Sequence, residues 1–455
     1  MTASMQLAEF AASLKFDDIP AEVTDKTLQL LLDWLGSSLA GSGARPVIAF
    51  EQLSEELGPD SGPSQIFASR RLTSPLFAAL VNAAASHVVE QDDLHNQSVF
   101  HPGTVVFPPV IAVAQAIGCT GKDAITAAVV GYEVGIRIGE FLGRSHYRIF
   151  HTTATAGTLA AAVAVSSLLK LDADQTLHAL GSAGTQAAGL WEFLRDAADS
   201  KQLHTGKAAM DGIVAAYAAR HGLTGARQIL EGDQGMAVGM LGHGEPAQLL
   251  DRLGQRWALP ETSFKFHASC RHTHPAADAL LKIRQDQQLD HTRIRRITAH
   301  VYQAAQDVLG AVKQPHTIHQ SKFSMGFVLA LIARDGRASV SDFTESALDD
   351  MELRRLHDCV SMVVDPDIDR DYPNKWTARV EVELDDGSIM QQYLDTPKGD
   401  PDNSLSREEI EDKFRMLSQF SGAASADEAA DLIDQCWRLA EVDNFSNALK
   451  LPPRE

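Results

Sequence analysis

Cysteine, aromatic residues and clustered positive charge are all scarce in this sequence, and each scarcity removes a class of protein. Four cysteines occur, Cys119, Cys270, Cys359 and Cys436, with no Cys-x-x-Cys pair among them. That usage excludes a disulfide scaffold and fits free thiols in a reducing compartment, so a cytoplasmic protein is expected. Aromatic residues make up 6% of the chain, lean for a protein that stacks bases. The formal charge is −20 with no local basic patch to offset it, which argues against nucleic acid and anionic membranes as partners. The longest membrane candidate, Thr152 to Leu169, is rich in Ala, Gly, Ser and Thr, the composition of a core helix in close approach to its neighbours. Met1 to Asp17 lacks the basic start and long apolar core of a secretory signal. No Gly-x-Gly-x-x-Gly, Gly-x-x-x-x-Gly-Lys or Gly-x-Ser-x-Gly stretch appears, so nucleotide binding and serine-hydrolase chemistry lose ground.

What is present is apolar, helical and long. At 455 residues, 44% hydrophobic and 22% charged, the chain has material for two domains, the larger with an ample core. Helical spacing runs through Pro20 to Ala40, Pro75 to Glu90, Val110 to Ile117, Lys122 to Leu142, Thr155 to Leu169, Ala173 to Ala188 and Ala208 to His221. Pro102, Gly103 and the pair Pro108-Pro109 are expected to break regular structure before Val110. Strand patterns are absent through about residue 260, so residues 1–262 read as an all-helical bundle domain. After Phe264 the character changes. Alternation appears at Ile294 to Val301 and at Ala378 to Leu384, the latter forming a predicted hairpin with Ile389 to Leu394. With helices at Phe323 to Arg334 and Val340 to His357 between them, residues 263–399 read as a smaller α+β unit. Pro397 to Pro401 is a linker by composition, and Ser406 to Glu409 is a capping box opening a C-terminal helix. Residues 400–455 are thus helices that rejoin the first domain, and the fold class is mainly α.

Four constellations carry chemistry. Asp92 to Gly103, Asp-Asp-Leu-His-Asn-Gln-Ser-Val-Phe-His-Pro-Gly, sets two acids and two histidines between apolar segments. Adjacent acids point different ways, and Asp93, nearer in sequence to His95, is expected to face a site with His95 and His101. An acid-imidazole pair fixes a tautomer and tunes a proton donor or acceptor near neutral pH; the alternative is a loop of solvated acids with capping histidines. His151 precedes Thr152-Thr153 and a small-residue helix whose N-terminus could hold a carboxylate, or it is a capping or core histidine. Lys207, with His204 one turn earlier, could bind a carboxylate or snorkel to solvent. The run Lys265 to His274 admits three readings. As an anion clamp, Lys265, Arg271 and His274 would pair with carboxylates. As a metal site, His267, Cys270, His272 and His274 offer donor atoms, but their spacing matches no common zinc pattern. As a solvated basic loop it would do neither.

Taken together, these residues resemble the MmgE/PrpD family, which includes 2-methylcitrate dehydratases, cis-aconitate decarboxylases and an iminodisuccinate epimerase. The resemblance rests on Leu31 to Gly36, Asp92 to Gly103, Gly131 to Val134, Phe150 to Ala154, Leu203 to Ala209, Ser269 to Pro275, Lys322 to Ser324 and Pro397 to Pro401. It implies a helical domain made from both chain ends, an inserted α+β lid, a homodimer, no cofactor and no metal. It also implies a small polycarboxylate substrate and proton movement at a carbon next to a carboxylate, followed by loss of water or carbon dioxide or by reprotonation. Carried over by motif, Asp93, His101 and His151 are the acid and base set. Lys207, Lys265, Arg271 and His274 are the carboxylate binders, with His95 a further contact.

The sequence departs from the family at informative places. Lys265-Phe266-His267-Ala268 stands where many members read Lys-Pro-Tyr-Pro, and His272 replaces a usual tyrosine. Phe327 removes a hydroxyl associated with the decarboxylases, which favours dehydration or epimerisation over decarboxylation. The His-Pro-Gly ending at Gly103 also differs from the His-Pro-Ser-Asp of typical 2-methylcitrate dehydratases. A metal-dependent lyase or hydrolase built on the 267–274 histidines, and a non-catalytic polycarboxylate-binding protein, are the rival readings.

Overall fold

A computed structural model describes residues 1–196, 198–240 and 246–453. The chain is mainly α and divides into two compact units: Met1–Val88 with Asp92–Thr262 and the segment from Ser406 onward, and Val89–Gln91 with Ser263–Leu405.

The first unit is built around the helix Thr152–Leu168, of which every residue is buried. Its Ala, Gly, Ser and Thr side chains are too short to hold neighbours at a distance, and Gly103–Ile117, Gly121–Tyr147 and Ser200–Arg220 all pack on it. At Gly135 an added Cβ would lie 2.7 Å from Ala160 Cβ and 2.9 Å from the Phe100 ring. The approach of these two helices therefore requires glycine there. The helix Arg407–Ser421 packs on Ala21–Ala40 through a fully buried ion pair, Lys413 Nζ to Asp33 Oδ1 at 2.6 Å. Its start is the predicted capping box, with Ser406 Oγ accepting from the Glu409 amide. Among the described residues no helix is long and apolar enough to cross a membrane.

Several boundaries differ from the sequence reading, each for a physical reason. Gly103–Ile117 runs as one helix through Pro108 and Pro109, with residues 103–115 all buried. Tertiary burial on all sides outweighs the hydrogen bonds the prolines remove. Ser200–Arg220 begins a full two turns before the predicted Ala208, because Lys201, His204 and Lys207 broke the apolar pattern without breaking the helix. Short strand pairs also occur before residue 260, at Ser64–Gln65 with Leu72–Thr73.

The second unit is organised on a four-stranded sheet in the order Val360–Val364, Ile294–Val301, Ala378–Leu384, Ile389–Leu394. The last two strands form the predicted antiparallel hairpin, and Val360–Val364 joins Ile294–Val301 in parallel. Ala378, Val380, Val382 and Leu384 point inward in strict alternation, and the helix His274–Asp286 covers this face. The helix expected over Val340 to His357 is broken at Asp350, whose carboxylate caps Met351–Asp358 by accepting from the Glu352 and Leu353 amides. Pro397 to Asp400 is not a free linker: Phe264 N–H donates to Gly399 O at 2.8 Å, and Asp400 forms an ion pair with Arg271.

Candidate active site

The polar stretch after the helix Pro75–Val88 folds into a tight loop closed by His95 N–H to Phe100 O at 2.8 Å. It sends its two acids in opposite directions. Asp93, the expected partner of the imidazoles, is turned onto structure: Oδ1 accepts from the Gly103 amide at 2.9 Å and Oδ2 from the Tyr132 hydroxyl at 2.6 Å. A Cβ on residue 103 would lie 2.9 Å from Asp93 Oδ1 and 3.0 Å from the Tyr132 hydroxyl, so this carboxyl cage requires glycine. Burial pushes the Asp93 carboxyl up to about 7, against the opposing pull of those two donors.

Asp92 is the acid that meets the histidines. Its Oδ2 lies 2.7 Å from His87 Nδ1 and 3.0 Å from His101 Nδ1. The latter nitrogen is also 2.6 Å from the Asp93 carbonyl. A carbonyl can only accept, so His101 Nδ1 carries the proton; the carboxylate imposes the same tautomer on His87. When neutral, each of these rings has its lone pair on Nε2. His87 is wholly buried, and burial lowers its imidazole to about 4 although Asp92 acts in the other direction. It is therefore a neutral base at physiological pH.

His151 completes the cluster. It is the N-cap residue of Thr152–Leu168, stacks on His87 with ring centroids 5.6 Å apart, and packs against Trp191 at 4.7 Å. Burial, then the neighbouring His87 and His204, hold it well below the usual histidine range. Its Nδ1 meets His204 Nδ1 at 3.3 Å. Lys201 is buried and close enough to lower His87, His151 and His204 alike. The first unit thus holds a cluster of neutral imidazoles beside one buried cation.

The remaining predicted residues lie elsewhere. His95 accepts the Ser98 amide at Nδ1 and directs Nε2 toward Glu261 at 3.4 Å, within a carboxylate group tied down by Arg256. Lys207 is partly exposed, paired with Asp211 one turn along its helix, and donates to Gln186 O at 2.9 Å. In the second unit Lys265 pairs with Glu90 at 2.9 Å and Arg271 with Asp400, all four buried. Arg271 Nη1 lies 3.1 Å from His274 Nδ1. Guanidinium only donates, so His274 accepts there and carries its proton on Nε2, toward the Ser269 carbonyl at 3.4 Å. Burial and Arg271 hold His274 well below its ordinary value, making it a neutral brace for Arg271 rather than a cation.

The donor atoms of His267, Cys270, His272 and His274 do not converge among the described residues; His267 binds Asp278 and His272 binds the Tyr302 hydroxyl. The trio His87, Asp92 and His101 does converge, but its atoms are already joined by hydrogen bonds, so a metal would have to displace both Nδ1 protons. Phe327 is buried beside Phe343, with ring centroids 6.1 Å apart.

Sequence reasoning passed over His87, Asp92, Lys201 and Glu90 as site residues. The signal for Lys201 was present: Lys201, His204 and Lys207 recur at three-residue steps, one face of a helix once the helix begins at Ser200. For Asp92 there was none, since backbone direction decides which of two adjacent acids faces the rings.

Profiles of known families match almost the whole chain: the MmgE/PrpD N-terminal domain over residues 5–249 and the MmgE/PrpD C-terminal domain over residues 267–439. Curated relatives include a cis-aconitate decarboxylase-like protein oryM of Aspergillus oryzae, 28% identical over 91% of this chain and 90% of its own. Cis-aconitate decarboxylases of Aspergillus terreus (26% identical, 98% and 96% covered) and Homo sapiens (27%, 95% and 91%) are similar over comparable lengths.

Proposed function

The chain belongs to the MmgE/PrpD family, and from that premise we propose that it is a lyase or isomerase that moves a proton at a carbon next to a carboxylate of a small di- or tricarboxylate. The observation that carries this reading is the cluster of imidazoles His87, His101 and His151, whose Nδ1 atoms are committed by hydrogen bonds, two of them buried and held below the usual histidine range. A neutral imidazole with its lone pair on Nε2 is a base ready to accept a carbon-bound proton, and its low proton affinity makes the imidazolium a strong acid afterwards. His151 and His101 are the proton carriers, with Asp92 fixing the tautomers of His87 and His101 and Asp93 bracing the loop. Lys201 supplies positive potential for the enediolate-like charge that forms as the proton leaves. The family resemblance alone supports Lys265 and Arg271 as carboxylate binders, and each is paired with an acid of its own unit. We further infer cofactor independence, a homodimer, and a lid role for Ser263–Leu405 from the same family resemblance.

The three outcomes within the family share this machinery. Dehydration delivers a proton to a departing hydroxyl, epimerisation returns one to the other face of the carbon, and decarboxylation protonates carbon as carbon dioxide leaves. Phe327 in an apolar setting favours the first two. The relatives named as cis-aconitate decarboxylases favour decarboxylation of a cis-aconitate-like acid as the second reading. A panel of aconitates, methylcitrate, tartrates, itaconate and imino-linked diacids, followed by NMR of the products with and without a chelator, separates them. A stereochemically inverted substrate identifies an epimerase, an alkene a dehydratase, and itaconate from cis-aconitate a decarboxylase. Turnover abolished by the chelator would overturn the cofactor-independent mechanism.

A further inference from the structure

His204 belongs to none of the roles above, yet it is the hydrogen-bond partner of His151. It sits on the helix Ser200–Arg220 and is only partly buried. Its Nδ1 lies 3.3 Å from His151 Nδ1, with ring centroids 5.5 Å apart, and Phe193 meets its ring edge to face at 5.4 Å. The contact is framed by the backbone: His151 N–H donates to Gly189 O at 3.0 Å, and a Cβ on Gly189 would fall 2.5 Å from Ala154 Cβ and 3.3 Å from His204 Nδ1.

Two nitrogens at this separation need one proton between them. If both were bare, two lone pairs would face each other; if both carried hydrogen, two donors would. The surroundings of His151 Nε2 decide which ring holds it. His151 Nε2 is buried and has no hydrogen-bond partner among the described residues. A proton on that nitrogen would be a buried donor without an acceptor, whereas a proton on Nδ1 is satisfied by His204. On that placement the second proton of the pair lies on Nε2 of His204, the more exposed ring.

We propose that His204 is a positioning residue that holds His151 in the Nδ1–H tautomer, so that His151 Nε2 is the bare proton acceptor, and that it carries the accepted proton outward. The substrate C–H proton goes to His151 Nε2 and the electron pair stays on the substrate; His151 Nδ1–H passes to His204 Nδ1; His204 Nε2–H passes to water. Both rings end neutral in the opposite tautomers. Burial and then the cations Lys201 and Lys207 lower His204 to about 4, so the neutral form is the one present between turnovers. The relay step rests on the proton-transfer reading above, while the tautomer assignment stands without it.

The test uses the intact protein with 15N-labelled histidine and no ligand. The expected spectrum shows a nitrogen–nitrogen coupling across the His151–His204 bond, with the proton on His151 Nδ1 and His151 Nε2 shifted as an unprotonated ring nitrogen. A proton on His151 Nε2, or two bare or two protonated Nδ1 atoms, overturns the assignment. His204→Asn keeps an acceptor for His151 but cannot pass a proton on, whereas His204→Leu removes the acceptor. In H204N the His151 Nδ1–H signal is expected to survive, and in H204L it is expected to be lost. Loss of substrate deuterium to solvent should slow about tenfold or more in H204N with KM little changed; an unchanged rate overturns the relay. If wild type exchanges no substrate at all, the proposed function fails, and the coupling spectrum still decides the pairing.

Discussion

At neutral pH the Asp93 carboxyl sits near the midpoint of its titration, because burial has raised it to about 7 in spite of the Tyr132 hydroxyl and the Gly103 amide. In the unfolded chain the same group titrates near about 3.9. Between these values the folded protein holds a proton that the unfolded chain has released, so the stabilising contribution is complete below about pH 4 and is lost as pH rises through about 7. Asp93→Asn removes that dependence while keeping an acceptor for the Gly103 amide. The difference in melting temperature between wild type and D93N is therefore expected to move against the wild type from pH 4 to 8, by an amount worth a few kcal/mol at most. A difference independent of pH would contradict the raised value. Asp92 behaves differently because its oxygen faces two Nδ1–H donors. Replacing Asp92 by Asn substitutes an amide that can present its N–H₂ to those rings, and the expected result is a loss of about 10²-fold or more in turnover through the wrong tautomer. Near-normal turnover in D92N would show that the tautomers of His87 and His101 do not depend on this carboxylate.

The helix Arg407–Ser421 is held on Ala21–Ala40 by the buried pair Lys413–Asp33, whose side chains are 7% and 0% exposed. Lys413→Met leaves Asp33 charged among apolar neighbours or forces it to take up a proton, and a loss of about 3–5 kcal/mol is expected in urea unfolding. The double variant Lys413→Met with Asp33→Leu should recover most of that loss, since neither member of the pair is left buried without its partner. A double variant no more stable than the single one would show that the pair is not merely a tether. Helices of the first unit such as Ala21–Ala40 were readable from apolar spacing because they have a continuous buried face, as at Val23, Leu31, Leu35 and Leu39, whereas Arg45–Leu57, with only Pro46, Val47 and Ser54 buried, was not. The hairpin Ala378–Leu384 with Ile389–Leu394 was readable from alternation. The strand Val360–Val364 was missed because its sequence, Val-Ser-Met-Val-Val, does not alternate: Val363 is apolar although it lies on the exposed face with Ser361. The start of Ser200–Arg220 was missed for the opposite reason: its first two turns carry buried polar residues, Lys201 and Gln202, which a hydrophobic pattern takes for loop. The candidate site was legible as a set of motifs, but its hydrogen bonds were not, because they depend on which way the loop after Val88 turns.

Over the whole molecule a formal charge of −20 surrounds a few buried cations, Lys201 in one unit and Lys265 and Arg271 in the other. An anionic substrate is repelled at long range, but screening confines that repulsion to roughly 8 Å at physiological salt, so the local cations govern binding. In the proposed reaction an imidazole with a bare Nε2 takes a proton from a carbon next to a carboxylate. Deuterium incorporation from heavy water into the substrate panel, followed by proton and carbon NMR, measures that step whatever the later outcome. Wild type is expected to label that carbon in at least one polycarboxylate, and His151→Ala to slow the labelling by about 10² to 10⁴-fold. Equal labelling by folded His151→Ala, or none by folded wild type with any member of the panel, would contradict it.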